Sequence, residues 1–335
     1  MKNGKIYKVI IIGCGLIGQK RANSLDRASL VGCCDINEKT AKDFSIKNGN
    51  IPFYSNYDKL ILDLEFDLAI ISATHNALPD LINKTLNINK HILVEKPAGI
   101  YFEDLEKLQE LASKKKCIVH IGFNHRYHRA IRKSREIIDS GEVGELMFLR
   151  ARYGHGGRVG YDKEWRSKPL LSGGGELIDQ GSHLIDLSRY FLGDFKKING
   201  FAKTYYWKMP VDDNAFMILE NEKGNIAHLQ VSCTEWKNMF SLEIYGRYGK
   251  IDINGLGGSY GVEKITFFKM LPEMGPPETY SWEYPMKDDS WEYEFQQFLK
   301  KVESNKDCSP NLIDAIENLK IINNIYKISK YDYIT

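Results

Sequence analysis

In the first third of the chain, short unbroken apolar runs alternate with stretches where apolar residues recur every three or four positions. Residues 7–12, 30–35, 66–72, 91–94 and 117–122 read as strands; residues 16–27, 77–87 and 103–115 read as helices. A further helix starts from Asn37, whose side chain is placed to cap residues 40–47. Strands that are apolar on both faces and separated by helices specify a parallel, doubly wound sheet.

The pattern changes after Gly122. A helix over 130–140 ends at Gly141, and residues 145–153 begin a strict alternation. Short strands follow over 201–207, 215–219, 226–233, 240–245 and 250–253, separated by Asn225, Asn238, Gly246 and Gly249. Such spacing predicts an antiparallel meander. One long helix, 175–191, interrupts it, and two more, 291–303 and 312–328, close the chain. The expected division is therefore 1–123 and 124–335, with the Pro-rich stretch 271–277 as a loop insertion. One face of the second sheet is expected to lack a helix cover and to expose Phe201, Tyr205, Trp207, Phe216, Trp236 and Phe240. An apolar face of that size marks an interface.

Composition narrows the class. A chain of 335 residues exceeds one ordinary core, and 43% apolar with 27% charged residues is typical of a globular enzyme. A net charge of +2 argues against nucleic acid as a partner, since the basic runs are short. No segment approaches the ~20 apolar residues that cross a bilayer, and the start of the chain lacks a signal-peptide pattern. Six cysteines without CxxC spacing read as reduced structural thiols, which predicts a cytoplasmic protein.

Gly13-Cys14-Gly15-Leu16-Ile17-Gly18 is a GxGxxG run set between a strand and a helix. The first glycine turns the chain, the second lets backbone approach a pyrophosphate, and the third lets helix and sheet pack closely. Asp35 ends the second strand where a carboxylate would accept hydrogen bonds from the adenosine ribose hydroxyls and repel a 2′-phosphate. NAD is thus expected, with NADP less favoured. The fold class that follows is an α/β Rossmann domain plus an α+β domain with a large open, mainly antiparallel sheet.

Two further motifs carry chemistry. Glu95-Lys96-Pro97 lies at the carboxyl end of a parallel strand, where Lys96 could donate to a substrate oxygen and offset its charge during hydride transfer. Gly173-Gly174-Gly175 opens a helix that places Asp179 and His183 four residues apart, with Asp186 three further on. A carboxylate beside an imidazole suits a general base for a hydroxyl proton; the alternatives are a purely structural pair or, less favoured, a metal site built from Asp179, His183 and Asp186. Tyr153, His155, Arg158, Trp165 and Arg166 precede that helix and supply polar and aromatic groups for a substrate, the arginines pointing toward a carboxylate or phosphate.

The GCGLIG run, the EKP tripeptide and the GGGELIDQGSHLIDLSRYFLG block together resemble the glucose–fructose oxidoreductase, inositol dehydrogenase and rhizopine-catabolism group, the Gfo/Idh/MocA family. The resemblance extends through Gly122-Phe123-Asn124-His125-Arg126 and Ser290-Trp291-Glu292. It implies that Lys96 meets the substrate hydroxyl, with Arg126 a further substrate contact. His183 would be the acid/base and Asp179 its modulator. Ser72, Thr74 and Asn76 would line the dinucleotide, with Glu95 near its nicotinamide end. It further implies a homodimer or homotetramer paired through the second sheet. Two positions depart from the family pattern, His75 and Pro79, where proline and histidine respectively are common. The expected activity is NAD-dependent exchange between a secondary alcohol and a ketone of a sugar, sugar nucleotide or polyol. Alternatives are an enzyme that retains NAD for internal redox cycling, of dehydratase or glycosidase type, and a non-catalytic NAD-binding regulator.

Overall fold

The computed structural model describes residues 5–331. The chain divides into two compact units. One runs to Phe123 and also takes Trp291–Ile316; the other comprises Asn124–Ser290 and the chain from Glu317 onward. The return of Trp291–Ile316 to the first unit is absent from the expected 1–123 and 124–335 division.

The first unit holds β1 (Tyr7–Ile12), α1 (Leu16–Ala22), β2 (Ala28–Cys34), α2 (Glu38–Lys47), β3 (Phe53–Tyr54), α3 (Tyr57–Asp63), β4 (Leu68–Ile71), α4 (Leu78–Asn87), β5 (His91–Glu95), α5 (Phe102–Lys115) and β6 (Val119–Gly122). All six strands are parallel, in the order β3-β2-β1-β4-β5-β6. Val9, Ile10, Ile11, Leu68, Ile70 and Leu93 are fully buried, as strands covered on both faces require. Asn37 caps α2 as expected, its Oδ1 accepting from Thr40 N at 3.1 Å. Helix α1 stops at Ala22, five residues short of the expected 27, because pairing of Tyr7 with Ala28 draws the chain into β2 early.

The second unit continues with α6 (Arg129–Asp139), β7 (Leu146–Gly154), a short α7 (Pro169–Ser172), α8 (Ser182–Leu192), β8 (Phe195–Lys203), β9 (Asn214–Asn221), β10 (Ile226–Ser232), β11 (Met239–Gly246), β12 (Gly249–Asn254), β13 (Glu263–Lys269) and β14 (Glu278–Tyr284). Helices α9 (Ser290–Ser304) and α10 (Leu312–Ser329) close the chain. The eight strands run β14-β13-β12-β11-β7-β10-β9-β8, antiparallel throughout except for the β7–β10 pair. The stretch 271–277 is the connection of the β13–β14 hairpin.

Three expectations shift. The strand placed over 201–207 is β8, and Tyr205, Tyr206 and Trp207 lie beyond it in a loop, their backbone N–H groups captured by the carboxylate of Asp213. On the open face Phe201, Phe216 and Ile218 are exposed, but Phe240 is buried, because the alternation along β11 sends it inward with Leu242 and Ile244. The helix expected over 175–191 begins as a π turn, Leu177–Gly181, before α8. Gly175 must be glycine there, since a Cβ would stand 1.8 Å from the carbonyl oxygen of Asp212.

Candidate active site

In the first unit the glycine run folds for close approach. A Cβ on Gly18 would lie 2.1 Å from the carbonyl oxygen of Gly13, whose own φ of +90° suits only glycine. A Cβ on Gly15 would meet nothing within 4 Å, so this backbone faces open space. The first turn of α1 carries neither a side-chain cap nor an acidic residue, which leaves its N–H groups for an anion. Asp35 accepts from Cys14 N through Oδ2 and from Asn37 N through Oδ1, both at 2.9 Å. Each carboxylate oxygen keeps a lone pair for a ribose hydroxyl. Asp35 is therefore no cap for α2; Asn37 performs that task. Ser72 Oγ donates to the carbonyl of Gly13 at 2.8 Å, and Thr74 Oγ1 donates to Asn76 Oδ1 at 2.8 Å, so both belong to a loop tied to the fingerprint strand. These residues fit a dinucleotide.

Lys96 stands half-buried in the turn after β5; its bond to Pro97 is cis, and Ala98 N donates back to the carbonyl of Glu95 at 3.1 Å. Beside it lies a feature that sequence reading did not foresee. Arg21 of α1 is 1% exposed and donates from Nε to Glu95 at 2.6 Å and from Nη1 to Glu294 of α9 at 2.5 Å, with Trp291 under its guanidinium at 4.5 Å. Burial raises the pKa of the Glu95 carboxyl, and Arg21 opposes that rise. A Cβ on Gly122 would stand 2.7 Å from the Arg21 fork, so the glycine makes room for the pair.

In the second unit His183 is 5% exposed, and the ring of His125 stacks on it at 3.7 Å between centroids and 23° between planes. Tyr153 meets His183 edge-on at 6.2 Å. Burial, followed by neighbouring Tyr260, pushes the Tyr153 hydroxyl pKa well above its ordinary value. Asp179, inside the π turn, accepts from Arg166 Nε at 2.8 Å. Its charge is the main reason the guanidinium pKa of Arg166 rises. Arg126, expected at the substrate, instead forks onto Asp186 at 2.8 and 2.6 Å, with both residues buried. That ion pair fixes the His125 backbone against α8, and it removes Asp186 from the conceivable metal set. Arg158 is exposed and paired with Glu164 at 2.7 and 2.6 Å, while Trp165 lies 4.7 Å from the Arg166 guanidinium.

Glu176 extends the set. It is 1% exposed, accepts from Tyr161 Oη at 2.6 Å, and lies 3.4 Å from His155 Nε2. Gly157 N donates to His155 Nδ1 at 3.0 Å, which places the ring proton on Nε2, toward Glu176. Burial lowers the His155 pKa, but the Glu176 hydrogen bond and charge outweigh it, so the net shift is upward. The sequence assigns no role to His125, Glu176 or Tyr161, although the first two lie inside the motifs that carry the family resemblance. Glu176 had a signal, a carboxylate directly after three glycines at a helix start. The cluster His128, Glu263 and Asp288 has metal-ligand chemistry, yet its carboxylates already accept from Ala130 N, Gly257 N and Ser290 N.

Residues 7–123 match the oxidoreductase family with NAD-binding Rossmann fold, and residues 131–252 match the GFO/IDH/MocA C-terminal domain. Together these matches span well over half the chain. The chain belongs to the Gfo/Idh/MocA family. The myo-inositol 2-dehydrogenase of Thermotoga maritima is 23% identical over 89% of this chain and 89% of that protein. An uncharacterized oxidoreductase of Schizosaccharomyces pombe is 33% identical, but the match spans 41% of this chain and 37% of that protein. A levoglucosan dehydrogenase solved with NADH shares the fold, with a TM-score of 0.86 at 18% identity over 97% of each chain. As a Gfo/Idh/MocA member the chain has the oxidoreductase architecture of that family. No helix among the described residues is long and apolar enough to cross a membrane.

Proposed function

We propose that this Gfo/Idh/MocA member is an NAD-dependent dehydrogenase that interconverts a secondary alcohol and a ketone on a sugar, polyol or sugar nucleotide. The observation that carries the reading is the buried imidazole of His183, stacked on His125 and preceded by the Arg166-bound carboxylate of Asp179. His183 takes the hydroxyl proton in oxidation and returns it in reduction. Lys96 donates a hydrogen bond to the same oxygen and offsets its negative charge. Asp179, held by Arg166, orients the imidazole and contacts substrate. Tyr153, His155 and Trp165 add polar and aromatic contacts for a polyhydroxylated ring. The nicotinamide, when bound, supplies the hydride acceptor.

Asp35 supports NAD over NADP, since a carboxylate at the ribose repels a 2′-phosphate and no arginine follows in Ile36-Asn37. Inositol and levoglucosan, for which those relatives are named, are polyhydroxylated rings and support the substrate class. Exposed Phe201 and Phe216, paired across β8 and β9, with Ile218 beside them, support a homodimer or homotetramer through the open sheet face. The cysteines are free and five are buried, which supports a cytoplasmic, reduced setting.

Two measurements on the purified protein test the reading. Mass spectrometry of its bound small molecules should find NAD. Absorbance at the reduced-nicotinamide band should rise with a member of a polyol, hexose and nucleotide-sugar panel. A protein that binds no dinucleotide would end the proposal, and bound NAD with turnover but no net reduction would favour internal redox cycling.

A further inference from the structure

The loop after β8 carries Tyr205, Tyr206, Trp207 and Lys208, and the loop after β10 carries Trp236 and Lys237. Tyr205, Tyr206 and Trp236 are 69%, 59% and 64% exposed. Exposed rings are ordinarily mobile, but these are held. The carboxylate of Asp213, fully buried, accepts from the backbone N–H groups of Tyr205, Tyr206 and Trp207 at 2.7 to 3.0 Å. Tyr206 stands edge-on to Trp236 at 4.7 Å and to Trp207 at 5.3 Å, and Trp207 Nε1 donates to the carbonyl of Cys233 at 3.0 Å. Trp236 adopts a φ of +56°, a conformation uncommon for a bulky residue and associated with functional sites.

The same loops are joined to the acid–base helix. Asp212, next to Asp213 in sequence, accepts from Gly175 N at 2.9 Å and Leu177 N at 2.7 Å, at the start of the π turn bearing Asp179. Two adjacent buried carboxylates thus fix the aromatic loop and the catalytic helix to one another. The substrate loop packs beneath the rings: a Cβ on Gly157 would stand 2.3 Å from the Trp207 ring, and one on Gly156 would stand 3.1 Å from the Trp236 backbone. Lys208 and Lys237 directly follow Trp207 and Trp236 in the chain, are exposed, and form no ion pair with a described residue. The nearby carboxylate of Glu235 is turned back, accepting from Gln230 at 3.4 Å.

We propose that Tyr206 and Trp236, with Lys208 and Lys237, form a subsite for the nucleoside diphosphate portion of a nucleotide-linked sugar, whose sugar ring reaches His183. Flat π faces bind any base by stacking, and two unpaired ammonium groups answer a diphosphate. A neutral sugar extension would leave both lysines without a purpose. The substrate assignment rests on the dehydrogenase reading, whereas the binding claim stands apart from turnover.

The test is titration of the NAD-saturated protein with UDP, dTDP and GDP, read by calorimetry and tryptophan fluorescence. Saturating NAD keeps the nucleotide out of the dinucleotide fold. At least one diphosphate should bind and quench the fluorescence. Trp236→Asn, which suits a left-handed backbone, should weaken it roughly tenfold. The double variant K208A/K237A should weaken the diphosphate but leave the free nucleoside unchanged, and neither variant should alter NAD affinity. With a nucleotide-linked sugar, W236N should raise KM and leave kcat unchanged. Failure of all three diphosphates to bind, or wild-type affinity in both variants, overturns the proposal. So does a Y206A/W236N variant that sediments as a smaller oligomer while binding nucleotide normally, since the face is then a subunit contact. His183→Asn should slow turnover by about 10²- to 10⁴-fold without changing diphosphate binding, so the two claims fail separately.

Discussion

Replacing Arg21 with methionine leaves the carboxylates of Glu95 and Glu294 without the guanidinium that now stands 2.6 and 2.5 Å from them. The Glu95 side chain is 12% exposed and can regain water, whereas that of Glu294 is 0% exposed and cannot. Breaking a buried ion pair from one side costs about 3–5 kcal/mol, because the surviving charge stays desolvated. One arginine serves two carboxylates here, so R21M should fall in the upper part of that range, and melting should drop on the order of 10 °C. The assay is urea and thermal unfolding followed by circular dichroism. The double variant R21M/E294Q, which removes the stranded charge, should recover part of the loss. Activity should fall further than stability alone requires, because Glu95 directly precedes Lys96. An R21M protein within about 1 kcal/mol of wild type would refute the reasoning, since it would mean that these carboxylates are neutral or hydrated without the arginine.

Three further outcomes follow from the site. Asp35→Ser should weaken NAD roughly tenfold and bring NADP turnover closer to that with NAD, checked by KM for each, because charged hydrogen bonds to the ribose are worth about 1.5–3 kcal/mol. His125→Ala should lower kcat several-fold with NAD affinity unchanged, and His125→Phe should restore most of it, since aromatic stacking is worth about 0.5–1.5 kcal/mol. Asp212 is raised by burial from 3.8 to about 6, against the N–H of Leu177, the Tyr326 hydroxyl and the N–H of Gly175. A raised acid favours the folded chain when protonated, so its contribution is full below pH 3.8 and lost as pH rises through 6. Relative to Asp212→Asn, wild-type unfolding free energy should therefore decline by up to about 3 kcal/mol across that window, checked by denaturant titration.

Much of the architecture is legible in the sequence where a residue's neighbours in the chain decide its fate. The runs of Val, Ile and Leu at 7–12 and 91–94 can only be buried strands, and Asn37 caps a helix within its own turn. The glycine fingerprint is equally local. Misreadings arise where a distant group intervenes. Tyr205-Tyr206-Trp207 has strand-forming composition, but the Asp213 carboxylate offers its N–H groups a better partner than a neighbouring strand. Strand β14 is exposed and polar, so no alternation announces it. Two-residue β3 is too short to carry a period.

For the site, residue types are readable but allegiances are not. Arg158 and Arg166 read as groups for a substrate anion and the family resemblance adds Arg126 as a substrate contact, yet Arg158 binds Glu164, Arg166 binds Asp179 and Arg126 binds Asp186, the last pair 60 residues apart. The spacing of Asp179 and His183 suggested a direct pair on a regular helix. The helix is not regular there, since Asp179 lies in the π turn Leu177–Gly181, and the ring stacked on His183 comes from the turn around His125, 58 positions earlier by residue number. Nor does sequence indicate that Trp291 and Glu294 return to embrace Arg21.

The most direct test of the acid–base assignment is single-turnover hydride transfer in His183→Asn, with substrate and NAD both saturating. The asparagine holds the volume near that of the imidazole but cannot accept the hydroxyl proton. The expected result is a loss of about 10²- to 10⁴-fold in the transfer rate, with the dissociation constant of NAD unchanged. Transfer at the wild-type rate in that variant would show that another group takes the proton.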